Sequence, residues 1–304
     1  MSKKHDPVKQ HHIPQVYLRN FCNPTNSIAV LDTHSRKVFS TGVRAVGVEK
    51  DFYTLNKLEN PYCWERIYAT SIEPIMGKLF KKIAARTNRL VPMGTVILDD
   101  TEKVQLAAVM VMQLLRGKQT REFERNLFKA YLPDAFEKAK KKFGPLNEEQ
   151  LKLSSEFATN EYYFKHISMD LAFDMNRITM FSEALYNRTF LFLRICGNAE
   201  FITSDNPVLF INGRTGNARP FSNGLLHTST VVYYPISPKL LLCALHPESF
   251  WGTFSDQDCH IVELDSHAEE NFFATINRKQ VAQCFRHSFA RSLSSLEKYR
   301  KTYH

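Results

Sequence analysis

Asp99-Asp-Thr-Glu102-Lys-Val104-Gln-Leu-Ala-Ala-Val-Met-Val-Met-Gln113-Leu-Leu-Arg116-Gly117 is the stretch on which the reading of the fold turns. Asp99 and Glu102 have the spacing of a capping box, so a helix starts there. Its middle, Val104 to Leu115, is apolar on every side, the mark of a helix buried at the centre of a structure. Gly117 ends it. The run is too short for a membrane span, which needs about 20 apolar residues. Gln113 and Arg116, three apart, share one face of this helix.

Outward from it, helices continue in both directions. Tyr62 to Ala85 carries Ile67, Ile72, Ile75, Leu79 and Ile83 near helical spacing, with Pro74 kinking or dividing the run. A helix over about Thr120 to Lys142 stops at Gly144-Pro145, and helical stretches follow at about 147–159 and 162–183. The basic run Lys138 to Lys142 reads as a solvated face.

Farther out the period changes. Ser27–Asp32 and Lys37–Thr41 form a hairpin around Thr33–Arg36, and Asp51–Leu55 is expected as a third strand. From residue 187 come Thr189–Ile195, Glu200–Thr203, Val208–Ile211, Thr228–Tyr234, Lys239–Leu245 and Cys259–Leu264. Asn212-Gly213, Gly216-Asn217 and Asn223-Gly224 punctuate them, which predicts an antiparallel sheet. Asp265-Ser266 cap a closing helix over about Ala268–Phe285. The expectation is an α+β fold: a helical middle packed on a C-terminal antiparallel sheet, with an N-terminal β-hairpin region. Residues 1–304 are read as one large domain with sub-regions 1–58, 59–186 and 187–304.

At 304 residues, 43% hydrophobic and 23% charged, the chain excludes disordered, collagen-like and low-complexity classes. The net charge of +9 favours an anionic partner, nucleic acid or another anionic ligand, or is simply a solvated basic surface. The six cysteines are scattered with no C-x-x-C pair, which argues against structural zinc and for small buried thiols. No signal-peptide pattern follows Met1, so a cytoplasmic protein is expected. No G-x-S-x-G, Walker, G-x-G-x-x-G or H-E-x-x-H motif occurs.

Four polar motifs remain. His11-His12-Ile-Pro14-Gln15-Val-Tyr17-Leu18-Arg-Asn-Phe21 carries apolar anchors that dock it on the core, with His12 placed ahead of a short helix as base or ligand. A buried Arg116 needs an anion, a carbonyl or a carboxylate such as Glu73 or Asp205. Thr203-Ser-Asp205-Asn-Pro207 is a tight polar turn, or else it aims Asp205 into a cleft as metal ligand or acid/base. Pro235-Ile-Ser-Pro238 is a similar connection, and Asn277 in the closing helix is a candidate amide bridge.

His12-x-Pro14-Gln15-x-Tyr17-Leu18-x-x-Phe21, Gln113-x-x-Arg116, Ser204-Asp205-x-Pro207 and Pro235-x-Ser237-Pro238, in that order, resemble the bacterial domain-of-unknown-function 4238 family over nearly the whole chain. The resemblance implies an α+β protein of this size whose motif residues gather in one pocket, and it supplies no reaction and no cofactor.

The residues point to a nuclease or other phosphodiester-acting hydrolase, with a phage-defence or toxin effector as the expected setting. His12 would be base or acid and Asp205 base or metal ligand. Gln15, Gln113, Arg116 and Asn277 would hold ligand or anion, and a divalent metal is a possible cofactor. The alternative is a non-catalytic module binding a small anionic ligand or a partner protein. The few carboxylates among the motifs, where a two-metal nuclease needs several, favour it.

Overall fold

The computed structural model describes residues 9–217, 223–265 and 267–300. The expected cap residue Ser266 lies outside them. The chain opens with β1 (Lys9–His11), α1 (Gln15–Leu18), β2 (Ser27–Asp32), β3 (Lys37–Gly42) and β4 (Val48–Lys50). Ile13, Tyr17, Leu18 and Phe21 are all fully buried, so the N-terminal string is docked on the core by its apolar side chains. β2 and β3 pair antiparallel from Ser27↔Gly42 to Asp32↔Lys37 around the expected turn. The expected strand at Asp51–Leu55 is absent. Asp51 takes a left-handed φ of 53°, which throws the chain out of the sheet and sends Phe52, Tyr53 and Leu55 into the core.

The helical middle comprises α2 (Cys63–Ile67), α3 (Glu73–Arg86), α4 (Asp100–Leu115), α5 (Lys118–Phe143), α6 (Glu148–Thr159), α7 (Glu161–Ala172) and α8 (Met175–Tyr186). A π-helical turn, Tyr68–Ile72, joins α2 to α3 just ahead of Pro74. Proline offers no N–H to the preceding turn, and the turn widens there. Asp99 and Glu102 form the capping box of α4 reciprocally, at 2.8 and 3.2 Å. The stretch read as one helix over 162–183 is two, because the Asp174 side chain caps a new start.

β5 (Thr189–Cys196), β7 (Leu209–Asn212), β8 (Thr230–Ser237), β9 (Leu240–Leu245) and β10 (His260–Asp265) form a five-stranded sheet in the order β10-β5-β9-β8-β7. It is antiparallel except for the β10–β5 pair, which is parallel. β6 (Thr203–Ser204) and β11 (His287–Ala290) do not join it. They complete the N-terminal hairpin as a four-stranded sheet, β3-β2-β11-β6. The closing helix α9 (Glu270–Gln283) starts after Asp265, whose carboxylate accepts from the N–H groups of His267 and Ala268. A short α10 (Leu293–Glu297) follows β11. One apolar core unites Ile13 and Phe21, α3, α4 and the inner face of β5, β8 and β9. Within the described residues, no helix is long and apolar enough to cross a membrane.

Candidate active site

Asp205 follows β6 and is almost fully buried. Its carboxylate accepts three consecutive backbone N–H groups, those of Phe285 at 2.7 Å, Arg286 at 2.8 Å and His287 at 2.8 Å. Its own N–H donates to the His287 carbonyl at 2.9 Å. Burial pushes its carboxyl up to about 6, and the three N–H donors pull against that rise. Both oxygens are thus committed to the segment that leads from α9 into β11.

That segment forms one wall of a cleft of about 490 Å³ whose lining includes His12, Glu49, Lys118, Asp205, Arg286 and His287. The lining also takes in the run from Ala45 to Glu49. Gly47 there has a φ of +62°, and a Cβ would meet Ile13 at 3.2 Å, so the close approach needs glycine. The Gly47 carbonyl accepts the His12 N–H at 2.9 Å and fixes that residue in the cleft. The His12 ring packs against Phe52, with centroids 5.4 Å apart, and its Nδ1 is buried without a hydrogen-bond partner. Burial, helped by the positive fields of Lys118, Arg116, His287 and Arg121, holds His12 well below the usual imidazole range. His287 is lowered by burial too, but the Asp32 carboxylate, 3.6 Å from its Nε2, pulls the other way. Lys118 pairs with Glu49, and Arg286 pairs with Asp32 at 2.7 Å.

Arg116 lies fully buried in a second cluster. It makes no ion pair with Glu73 or Asp205. Its Nε donates to the Tyr53 hydroxyl at 3.0 Å, one Nη to the His11 carbonyl, and its Cζ sits over the Tyr68 ring, 4.0 Å from the centroid. The other Nη, both amide atoms of Gln113, the hydroxyls of Tyr68 and Tyr234, and His11 Nε2 are buried without a hydrogen-bond partner. Glu65 and Glu73 lie within Arg116's field. Burial raises both carboxyls, Glu65 to about 7, and Arg116 opposes the rise. Gln15 lies at this cluster's rim, accepting from Arg19 at 3.3 Å and lying 3.5 Å from His11 Nδ1.

Asn277 belongs to neither cluster. Its Oδ1 accepts from Ile202 N–H at 3.0 Å and its Nδ2 donates to the Glu200 carbonyl at 2.8 Å. The structure therefore lines one cleft with both His12 and Asp205, sets Arg116 on the His11 carbonyl with Gln15 beside the His11 ring, buries Gln113 on the helix that carries Arg116, and uses Asn277 to pin the chain before β6. Among the described residues, no group of three or more His, Cys, Asp or Glu side chains is placed to hold a metal ion. Sequence reading missed Lys118, Arg286 and His287. The available signal was the alternation His287-Ser-Phe-Ala immediately after the closing helix, which marks a strand entering at that point.

An α+β fold with a cleft that sets two histidines among lysine and arginine defines the class of the molecule. The chain belongs to the family described as protein of unknown function DUF4238, whose model matches residues 9–294. No curated protein and no solved structure matches it.

Proposed function

We propose that the cleft binds RNA and cleaves its phosphodiester bonds by acid–base chemistry between His12 and His287. The observation that carries this reading is the unequal setting of the two rings in one cleft. His12 is buried among cations and so is neutral, the state a general base needs. His287 is also lowered by burial, but the Asp32 carboxylate 3.6 Å from its Nε2 opposes that lowering, so of the two rings it is the one that more readily carries a proton to a leaving group. His12 takes the proton of a ribose 2′-hydroxyl as that oxygen attacks phosphorus. The P–O5′ bond breaks, and His287 protonates the departing oxygen. Lys118 and Arg286 face the phosphate oxygens, and Asp205 is a positioning residue that fixes the His287 backbone.

The test is incubation of the purified protein with labelled RNA and DNA of one sequence, with and without EDTA. RNA should be cut to 2′,3′-cyclic phosphate ends in EDTA, and DNA, which lacks the nucleophile, should survive. His12→Ala and His287→Ala should each lose about 100-fold or more of the rate. Intact RNA, or variants that cut as fast as the parent, would sink the reading.

The non-catalytic alternative draws on a different observation, the unpartnered Gln113 amide and Arg116 Nη, which suit a small bound anion. A nucleotide or carboxylate that raises the melting temperature and is recovered unchanged would favour it.

A further inference from the structure

A separate cavity of about 350 Å³ lies beyond the wall of the cleft. The two are divided by neighbouring residues. Lys118 and Asp205 line the cleft, while Gln119 and Asn206, next in sequence, line the cavity. Its body is apolar, with Leu115, Phe123, Phe181 and Phe210 among its walls. Its size is that of a small-molecule site, a mainly apolar enclosure with a few polar groups placed in it.

Apart from the Thr120 hydroxyl, which donates to the Leu114 carbonyl at 2.7 Å, and Arg177, those polar groups are amides, and their bonds fix their orientations. Asn206 Nδ2 donates to Gln119 Oε1 at 2.7 Å and to the Gln283 carbonyl at 3.3 Å. These bonds use Asn206 Nδ2 and Gln119 Oε1, which leaves Gln119 Nε2 as a donor and Asn206 Oδ1 as an acceptor outside them. Gln283 Nε2 donates to the Val208 carbonyl at 2.7 Å, and Asn223 Nδ2 donates to the Asn217 carbonyl at 2.8 Å, so each offers a further acceptor oxygen. The charged residue in the lining, Arg177, is paired with Glu124 at 2.5 Å. The set asks for a neutral molecule, and a full-length fatty acid or a phosphate would leave these amides or itself unmatched.

We infer that this cavity is a binding site for a neutral planar heterocycle carrying adjacent carbonyl and N–H groups, a nucleobase or a cyclic amide of similar size. The flat ring packs among the phenylalanines. Its carbonyl takes the Gln119 N–H and its own two N–H groups go to two of the acceptors on Asn206, Gln283 and Asn223, the edge-to-amide pairing by which asparagine and glutamine read bases. The inference is independent of whether the neighbouring cleft cuts RNA.

Hypoxanthine, uracil and thymine, with naphthalene and octanoate as controls, would be titrated into the full chain by calorimetry and by saturation-transfer NMR. At least one heterocycle should bind with a millimolar or tighter dissociation constant. Gln119→Leu should weaken it at least tenfold while naphthalene binding is kept. Gln119→Glu, which swaps the donor for an acceptor at the same shape, gives the same loss and covers the case in which the leucine variant does not fold. His12→Ala should bind as the parent does, which separates this result from the cleavage assay. Binding of naphthalene alone, of octanoate in preference to the bases, or of nothing would overturn the inference, as would a Gln119→Glu protein that binds as tightly as the parent.

Discussion

Asp205 and His287 are tied twice, side chain to backbone and backbone to backbone: the carboxylate accepts the His287 N–H at 2.8 Å, and the Asp205 N–H donates to the His287 carbonyl at 2.9 Å. The same carboxylate takes the N–H groups of Phe285 and Arg286, so one side chain sets the backbone that carries both cleft residues. Asp205→Asn keeps the shape but turns an NH₂ group toward backbone donors. The expected cost is about 2–4 kcal/mol, from lost charge-assisted bonds and stranded N–H groups. Urea denaturation reads the cost. Amide exchange at Phe285 to His287 should accelerate in the variant, and unchanged protection there would show that the carboxylate does not set this turn.

The segment from Glu200 to Val208 is held against α9 by amides three residues apart. Asn277 takes Ile202 and Glu200, Gln280 takes Ser204 Oγ at 2.8 Å and the Pro207 carbonyl at 2.7 Å, and Gln283 takes the Val208 carbonyl. Residues so spaced lie along one stripe of a helix. Asn277→Leu and Gln280→Leu should each cost about 1–3 kcal/mol, because buried backbone groups lose their partners while volume is kept. Neither should alter the cleft histidines directly. If NMR titration of His12 and His287 moves as much in Asn277→Leu as in Asp205→Asn, the division of labour drawn between these residues is wrong.

Glu65 is half-buried near Arg116, and burial pushes its carboxyl up to about 7 from a usual value near 4.5. A folded pKa above the unfolded one means that the native state holds the extra proton. This group therefore lowers stability as pH rises from about 4.5 to about 7. Water reaches the side chain, so the effect should be about 1 kcal/mol rather than the full value of the shift. Stability curves of the parent and Glu65→Gln should run together at the acid end and diverge across that window, the glutamine variant being the more stable at pH 8. Parallel curves throughout would count against it.

Local signals carried much of this architecture. The α4 capping box, the Gly144 stop of α5, the 33–36 hairpin turn and the Asp265 cap are each set by residues within a few positions of one another. What could not be read is long-range. β6 is two residues long and shows no period, and β11 pairs Phe289 with both Val30 and Thr203, partners far apart in sequence. The parallel β10–β5 pairing has the same cause, since alternation of side chains does not encode strand direction. The site divided along this line. His12 and Asp205 stood out as residue types in unusual strings, but their cleft partner His287 arrives only through that pairing of β11. Of the partners open to a buried Arg116, an anion, a carbonyl or a carboxylate, the carbonyl is the one present, at His11, and it is joined by a hydroxyl and an aromatic face that no local pattern announces.

Arg116 offers the sharpest test of that last arrangement. Its guanidinium meets Tyr53 Oη, the His11 carbonyl and the Tyr68 ring at once, which requires a flat cation with donors at fixed angles. Lysine keeps the charge but is a compact, strongly hydrated ammonium that cannot make both bonds and stack. Methionine removes the charge and its desolvation cost, and takes a donor from the Tyr53 hydroxyl while the His11 carbonyl keeps the Tyr53 O–H at 3.2 Å. Arg116→Lys should therefore be the worse substitution, destabilising by about 3–5 kcal/mol, with Arg116→Met costing about 1–3 kcal/mol less than that. Urea denaturation at pH 7 ranks the two. A second reading comes from Glu65, whose carboxyl Arg116 holds down. In Arg116→Met its titration by carbon-detected NMR should move to higher pH, and in Arg116→Lys it should move less. A lysine variant as stable as the parent, with Glu65 titrating where it did before, would show that position 116 needs only a positive charge and that the fork and the stack add nothing.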